Sequence, residues 1–111
     1  MQDRLLIITK IKKTIEYVEK IISNYPHNEN NLKNKIINEL YDLLELVYKA
    51  NIEKNIIHMK NICVKIKMID YLLKRSSDKK LISLKKYEII GNYLLEINKM
   101  VNVWIKNEKN K

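Results

Sequence analysis

Apolar residues recur along this chain at alternating steps of three and four. In the first stretch they fall at Ile8, Ile11, Ile15, Val18, Ile22 and Tyr25, the rhythm of a helix lying nearly parallel or antiparallel to its neighbours. NYPHNENN (residues 24–31) then interrupts it. Proline removes the amide hydrogen that the next turn needs, and the asparagines favour a turn. Asn30 or Asn31 suits the cap of a second helix, where a short side-chain oxygen accepts from the free first-turn amides. That second stretch repeats the rhythm at Ile36, Leu40, Leu43, Val47 and Ala50. A neighbouring stripe of Ile37, Tyr41, Leu44 and Tyr48 widens its apolar face into that of a helix buried on two sides.

A short break, roughly NIEK (residues 51–54), precedes a third stripe at Met59, Ile62, Ile66, Ile69 and Leu73. RSSDKKLIS (residues 75–83) ends the pattern and places Ser83 as the N-cap of a fourth helix. The last stripe is Tyr87, Ile90, Leu94, Ile97, Val101 and Trp104. Trp104, the sole tryptophan in a chain without phenylalanine, therefore continues a core stripe and closes one end of the core. Gly91, the single glycine, is expected to allow close helix approach, at a propensity cost of about 1 kcal/mol. The spacing predicts an all-α fold, an up-down-up-down antiparallel four-helix bundle. Its helices span about 3–24, 30–50, 54–75 and 84–107, in one domain covering residues 1–111.

Composition narrows the function classes. One Gly and one Pro in 111 residues argue against sandwiches, barrels and glycine-rich cofactor loops. A single cysteine, Cys63, forms no internal disulfide, fits a reducing cytoplasm, and reads as a small buried hydrophobe in NICVKI. The start has only four consecutive apolar residues, too few for a secretory signal, and no apolar run approaches a membrane span. The formal net charge of +9 suggests a polyanionic partner. Lys, Asn and Ile dominate the chain, as AT-rich coding would make them, so the distribution of charge is a better guide than its sum. Residues 1–59 hold nine basic and eight acidic residues, a net of +1. Residues 60–86 hold nine basic residues against Asp70 and Asp78, a net of +7. That basic stretch is read either as a solvated face or as an electrostatic footprint for RNA, DNA or an acidic protein.

No chemistry-bearing constellation emerges. Glu53 and His58 are five residues apart, which puts them on different faces, and His27 lies in the loop beside Pro26. Neither histidine has a ligand partner three or four residues away, so no metal site and no cofactor are expected. Asp3, Glu39, Glu45, Asp70 and Glu96 are spread over different helices without forming a local acid/base pair. No catalytic residue is assigned and the chain reads as a non-enzyme. Of its tyrosines, Tyr41, Tyr48 and Tyr87 fall on core-type stripes with their hydroxyls at the rim. Tyr17, Tyr71 and Tyr93 lie off them and are candidates for a second interface.

Three segments carry a family resemblance: NELYDLLELVYKANIEKN, YLLKRSSDKKLISLKKYEII and LLEINKMVNVWIK. The chain resembles the accessory variability determinant (Avd) of diversity-generating retroelements, in a four-helix-bundle group that includes the proteins encoded in ribosomal RNA intervening sequences. The similarity runs from about Ile8 to Lys106. Its best markers are IS-x-KKYE (Ile82 to Glu88) and the E-I-x-K-M-x-x-x-W-I-K ending. The resemblance implies a basic homopentamer of four-helix protomers. It would bind the element's reverse transcriptase and RNA or DNA, and support mutagenic copying of a template RNA without being the polymerase.

On that reading the positive surface is Lys60, Lys65, Lys67, Lys74, Arg75, Lys79, Lys80, Lys85 and Lys86, extended by Lys99 and Lys106. The expected location is the cytoplasm, with no membrane contact. The competing reading is a structural helical adaptor for an acidic protein, with no nucleic-acid role. The chain departs from the family's Gly-Arg-Met-x-Gly-Gly-Trp, carrying Asn98, Lys99, Met100, Val101, Asn102, Val103 and Trp104 instead. Protomer packing is therefore expected to differ at Asn102 and Val103. An arginine common in the family's third helix aligns with Asp70, and another with Lys74.

Overall fold

Helices dominate the computed structural model because each predicted stripe finds a partner. The structure describes the backbone of residues 2–111 and the side chains of residues 6–111; the Asp3 and Arg4 side chains lie outside the described residues. Four helices follow one another: α1 (Gln2–Ile22), α2 (Asn30–Glu53), α3 (Ile56–Asp78) and α4 (Leu84–Lys109), with a 3-10 turn at His27–Glu29 before α2. Among the described residues there are no strands. Contacts run α1 to α2, α2 to α3, α3 to α4 and α4 back to α1, with none across the diagonals among the described residues. Short connections make sequential neighbours antiparallel, so this ring is an up-down-up-down bundle, elongated to 48 × 22 × 19 Å.

The core is the set of predicted stripes. Ile11, Val18, Leu40, Leu43, Ile62, Ile69, Ile90 and Ile97 are buried together, and Trp104 is buried with them at one end. In α1 the stripe begins at Ile7, which is fully buried, while Ile8 packs only against its margin. Tyr41 and Tyr48 depart from expectation: both are exposed. They sit where the wide face of α2 turns outward, and the Tyr41 hydroxyl donates to Glu19 Oε2 at 2.8 Å on α1. Only Tyr87 of the three packs against the core.

The helix ends differ from the sequence reading where polar residues prove helical. α2 continues through Asn51, Ile52 and Glu53, so the break before α3 is Lys54–Asn55 alone. Lys54 takes a left-handed conformation (φ 53°), its amide donating to Ala50 O, while Asn55 caps α3 by accepting from Ile57 N at 2.8 Å. This tight reversal brings His58 Nε2 to 2.9 Å from Glu53 Oε1. The separation of faces expected for that pair assumed one unbroken helix.

α3 likewise runs through Ser76, which is buried because its hydroxyl donates to Leu72 O at 3.0 Å. It closes with the amide of Lys80 (φ 63°) donating to Ser77 O and that of Leu81 to Ser76 O, the paired bonds of a Schellman ending. Ser83 caps α4 as predicted, accepting from Lys86 N at 3.1 Å. Asn30 and Asn31 do not cap α2: both lie inside it, and Glu29 holds the cap position without a side-chain bond. Gly91 is not a point of close approach, since a Cβ there would meet nothing within 4 Å.

Candidate nucleic-acid interface

The basic stretch divides around α3. Lys60, Lys67 and Lys74 recur every seven residues, two turns of a helix, and so share one face. That face is the flank toward α4. Cys63 Sγ there lies 3.8 Å from Asn102 Oδ1, and the Tyr87 hydroxyl donates to Asp70 Oδ1 at 2.9 Å. Burial pushes the Cys63 thiol above its ordinary value, with the Lys67 ammonium opposing the shift. Tyr87 is pushed up to about 12 by burial first, then by its bond to Asp70. Asp70, half-buried, is thus engaged by α4, and Asn102 turns toward α3.

The opposite flank of α3 faces α2. Lys65 lies here, two residues from Lys67 but about 200° around the helix. Its ammonium donates to Glu39 Oε2 at 2.9 Å and to Asp42 Oδ2 at 3.5 Å. Those contacts, led by the Glu39 hydrogen bond, raise its pKa. Glu39 is only 5% exposed and is also within 3.7 Å of Lys35. A groove of about 500 Å³ runs along this seam, lined by Asp42, Glu45, Leu46, Val64 and Met68. Val64 is 64% exposed, and Ile57, Met68 and Tyr71 are exposed beside it. Their positions step by seven, four and three along α3. This second apolar stripe was available in the sequence spacing, but the core stripe overshadowed it.

The remaining predicted residues are exposed with different commitments. Lys79 donates to both Glu29 carboxylate oxygens at 3.1 Å, and Lys74 lies 3.7 Å from Asp78. Lys60, Lys67, Arg75, Lys80, Lys85, Lys86, Lys99 and Lys106 are exposed and carry no ion pair among the described residues. Lys79 and Lys80 terminate α3, Lys85 and Lys86 open α4, and Lys99 and Lys106 are one seven-residue step apart on it. Another groove, of about 310 Å³, separates α1 from α4 and holds Tyr17 and Tyr93. Among the described residues, no three His, Cys, Asp or Glu side chains gather as metal ligands would. No helix among them is long and apolar enough to cross a membrane.

An antiparallel four-helix bundle with one basic flank and one acidic, apolar flank belongs to the class of helical proteins that present surfaces, not buried pockets. Residues 5–108 match the family model described as bAvd-like, and the chain belongs to that family. This agrees with the Avd resemblance carried by segments of α2, α3 and α4, and the family points to an accessory role in diversity-generating retroelements. A search of curated proteins finds none that matches the chain.

Proposed function

We propose that the protein is a non-catalytic accessory subunit that holds RNA beside the reverse transcriptase of a diversity-generating retroelement. It would act in the cytoplasm, supporting mutagenic cDNA synthesis. Family membership supports the role, and one observation carries the mechanism: the α4-side lysines of α3, the Lys79–Lys86 connection and Lys99 and Lys106 are exposed, most of them without a carboxylate partner. Unpaired exposed ammonium groups are those that displace counterions from a phosphate backbone. RNA affinity is therefore expected to fall steeply between about 50 and 200 mM salt. Affinity unchanged over that range overturns the electrostatic part. Co-expression with the reverse transcriptase encoded beside it should yield a stable complex, and failure to copurify counts against the accessory role.

The α2–α3 groove supports self-association, which the resemblance puts at a pentamer. Its occupant is a second copy of this chain: acidic Asp42 and Glu45 rim an apolar strip, and the rest of a chain of net charge +9 is their complement. Sedimentation that reads a monomer at all concentrations, with no RNA retained, favours the adaptor reading instead.

A further inference from the structure

Away from the basic flank, α1 and α4 enclose a groove whose walls differ from everything around α3. Two aromatic rings meet across it: Tyr17 from α1 and Tyr93 from α4, with centroids 5.7 Å apart and planes at 78°. In such an edge-to-face pair one ring turns its rim to the other, which leaves ring faces open to a further planar group. Lys10 reaches over to Glu96 at 2.6 Å and ties the two helices together. Among the described residues Lys13 and Lys20 have no ion pair, and they flank Tyr17 on its own helix face, four residues before and three after it. The two ammonium groups therefore spring from points about 10 Å apart along the axis, with the ring between them. Thr14 donates its hydroxyl to Lys10 O at 2.8 Å, so it offers the groove no donor.

This arrangement sorts a ligand by its parts. The Glu16 and Glu96 carboxylates line the groove and repel a phosphate inside it, whereas the outer lysines attract one at either end. A volume of about 310 Å³ lies at the lower end of the range for small-ligand sites, room for one planar ring system and not for a stack of them. We infer that the α1–α4 groove receives one unpaired base of a single-stranded RNA, stacked on Tyr93, the more exposed ring, and edge-on to Tyr17, with the adjoining phosphates on Lys13 and Lys20. The inference rests on the RNA-binding reading above and adds to it a second contact on the neighbouring face of the bundle, across α4. It also gives the protein a means of preferring single strands. A base held in a duplex must first be unpaired and unstacked to enter a groove, which costs free energy, while the α3 flank meets the phosphates of either form.

The test measures anisotropy of two labelled RNAs of equal length, an unstructured single strand and a blunt duplex. Tyr93→Leu, and separately Tyr17→Leu, should weaken the single strand about tenfold and leave the duplex within about twofold. Tyr93→Phe keeps the ring and should bind as the unaltered protein does, which separates stacking from damage to the helix packing. Lys13→Gln with Lys20→Gln should flatten the salt dependence for the single strand by about 1.4 log units per log unit of salt. Equal losses for strand and duplex, or none for either, overturn the inference while leaving the basic flank intact. Should the unaltered protein bind neither RNA, the accessory reading falls and this one with it.

Discussion

The two flanks of α3 grow from one helix and share one core stripe, yet they present opposite surfaces. Toward α4, Lys60 and Lys67 have no ion pair among the described residues, and Asp70, a carboxylate bonded across that seam, is engaged by Tyr87. Toward α2, Lys65 is drawn into a network with Glu39 and Asp42, and what remains exposed is acidic and apolar. Two residues of sequence separate Lys65 from Lys67. The neighbouring helix, not the local density of lysine, decides which charge stays available to a partner.

The sharpest way to break this contrast is to reverse it. Lys67→Glu with Lys74→Glu is expected to cut RNA affinity roughly a hundredfold at low salt without altering the melting curve. Val64→Glu with Met68→Glu should leave that affinity nearly intact and shift sedimentation to a smaller species. An exchange of those outcomes would mean that the flanks have been assigned the wrong way round.

Next in size is the α2 side itself. Lys65→Met leaves the nearly buried Glu39 with only Lys35 at 3.7 Å. The expected loss is about 2 kcal/mol of folding stability, below that of a fully buried pair because Lys35 remains. Adding Glu39→Leu should restore most of it in urea titrations, since an apolar pair of similar volume needs no charge compensation. No recovery would show that the network matters for more than charge balance.

On the α4 side, Tyr87→Phe should cost about 1 kcal/mol at neutral pH by removing one hydrogen bond. The pH dependence has a definite sign. Folding raises the Tyr87 pKa from the ordinary tyrosine value of 10.0 to about 12, so the neutral phenol is favoured in the folded state. That stabilisation is complete below about pH 10 and is lost as pH rises toward 12. The phenylalanine variant should lose less stability over that window than the parent does.

The smallest effect concerns Gly91. With open space where its side chain would stand, Gly91→Ala should raise stability by about 0.5–1 kcal/mol. RNA affinity should not change, and a stability decrease would show that the helix needs glycine there.

The helices were legible because the three-four rhythm survives in every one, from Ile11 to Trp104. Their ends were less so. Asn51–Glu53 and Ser76–Asp78 have the polarity of turns, yet a helix accepts such residues on its outer face, and Ser76 inside by bonding back to Leu72 O. His58 and Glu53 were misjudged for the same reason: counting turns along one helix fails when the chain reverses between them. The basic stretch was legible as charge. Which lysines are already paired was not, because Glu29 and Glu39 reach them from α2 and its approach, at separations of 50 and 26 residues. Tyr17, Tyr71 and Tyr93 were visible as tyrosines off the core stripes, but the meeting of Tyr17 with Tyr93 needed the closed ring of helices.

That closure has a kinetic side. Lys54–Asn55 joins α2 to α3 by two residues, so this hairpin can assemble from contacts local in the chain, at little loop-closure cost. The α1–α4 seam joins opposite ends of the chain and is the costliest to form. Amides of α1 are therefore expected to exchange with deuterium faster than those at the centre of α3. A strand of RNA lying across the seam would act as a clasp, slowing exchange in α1 and α4 together. Exchange slowed only along α3 would place the clasp elsewhere.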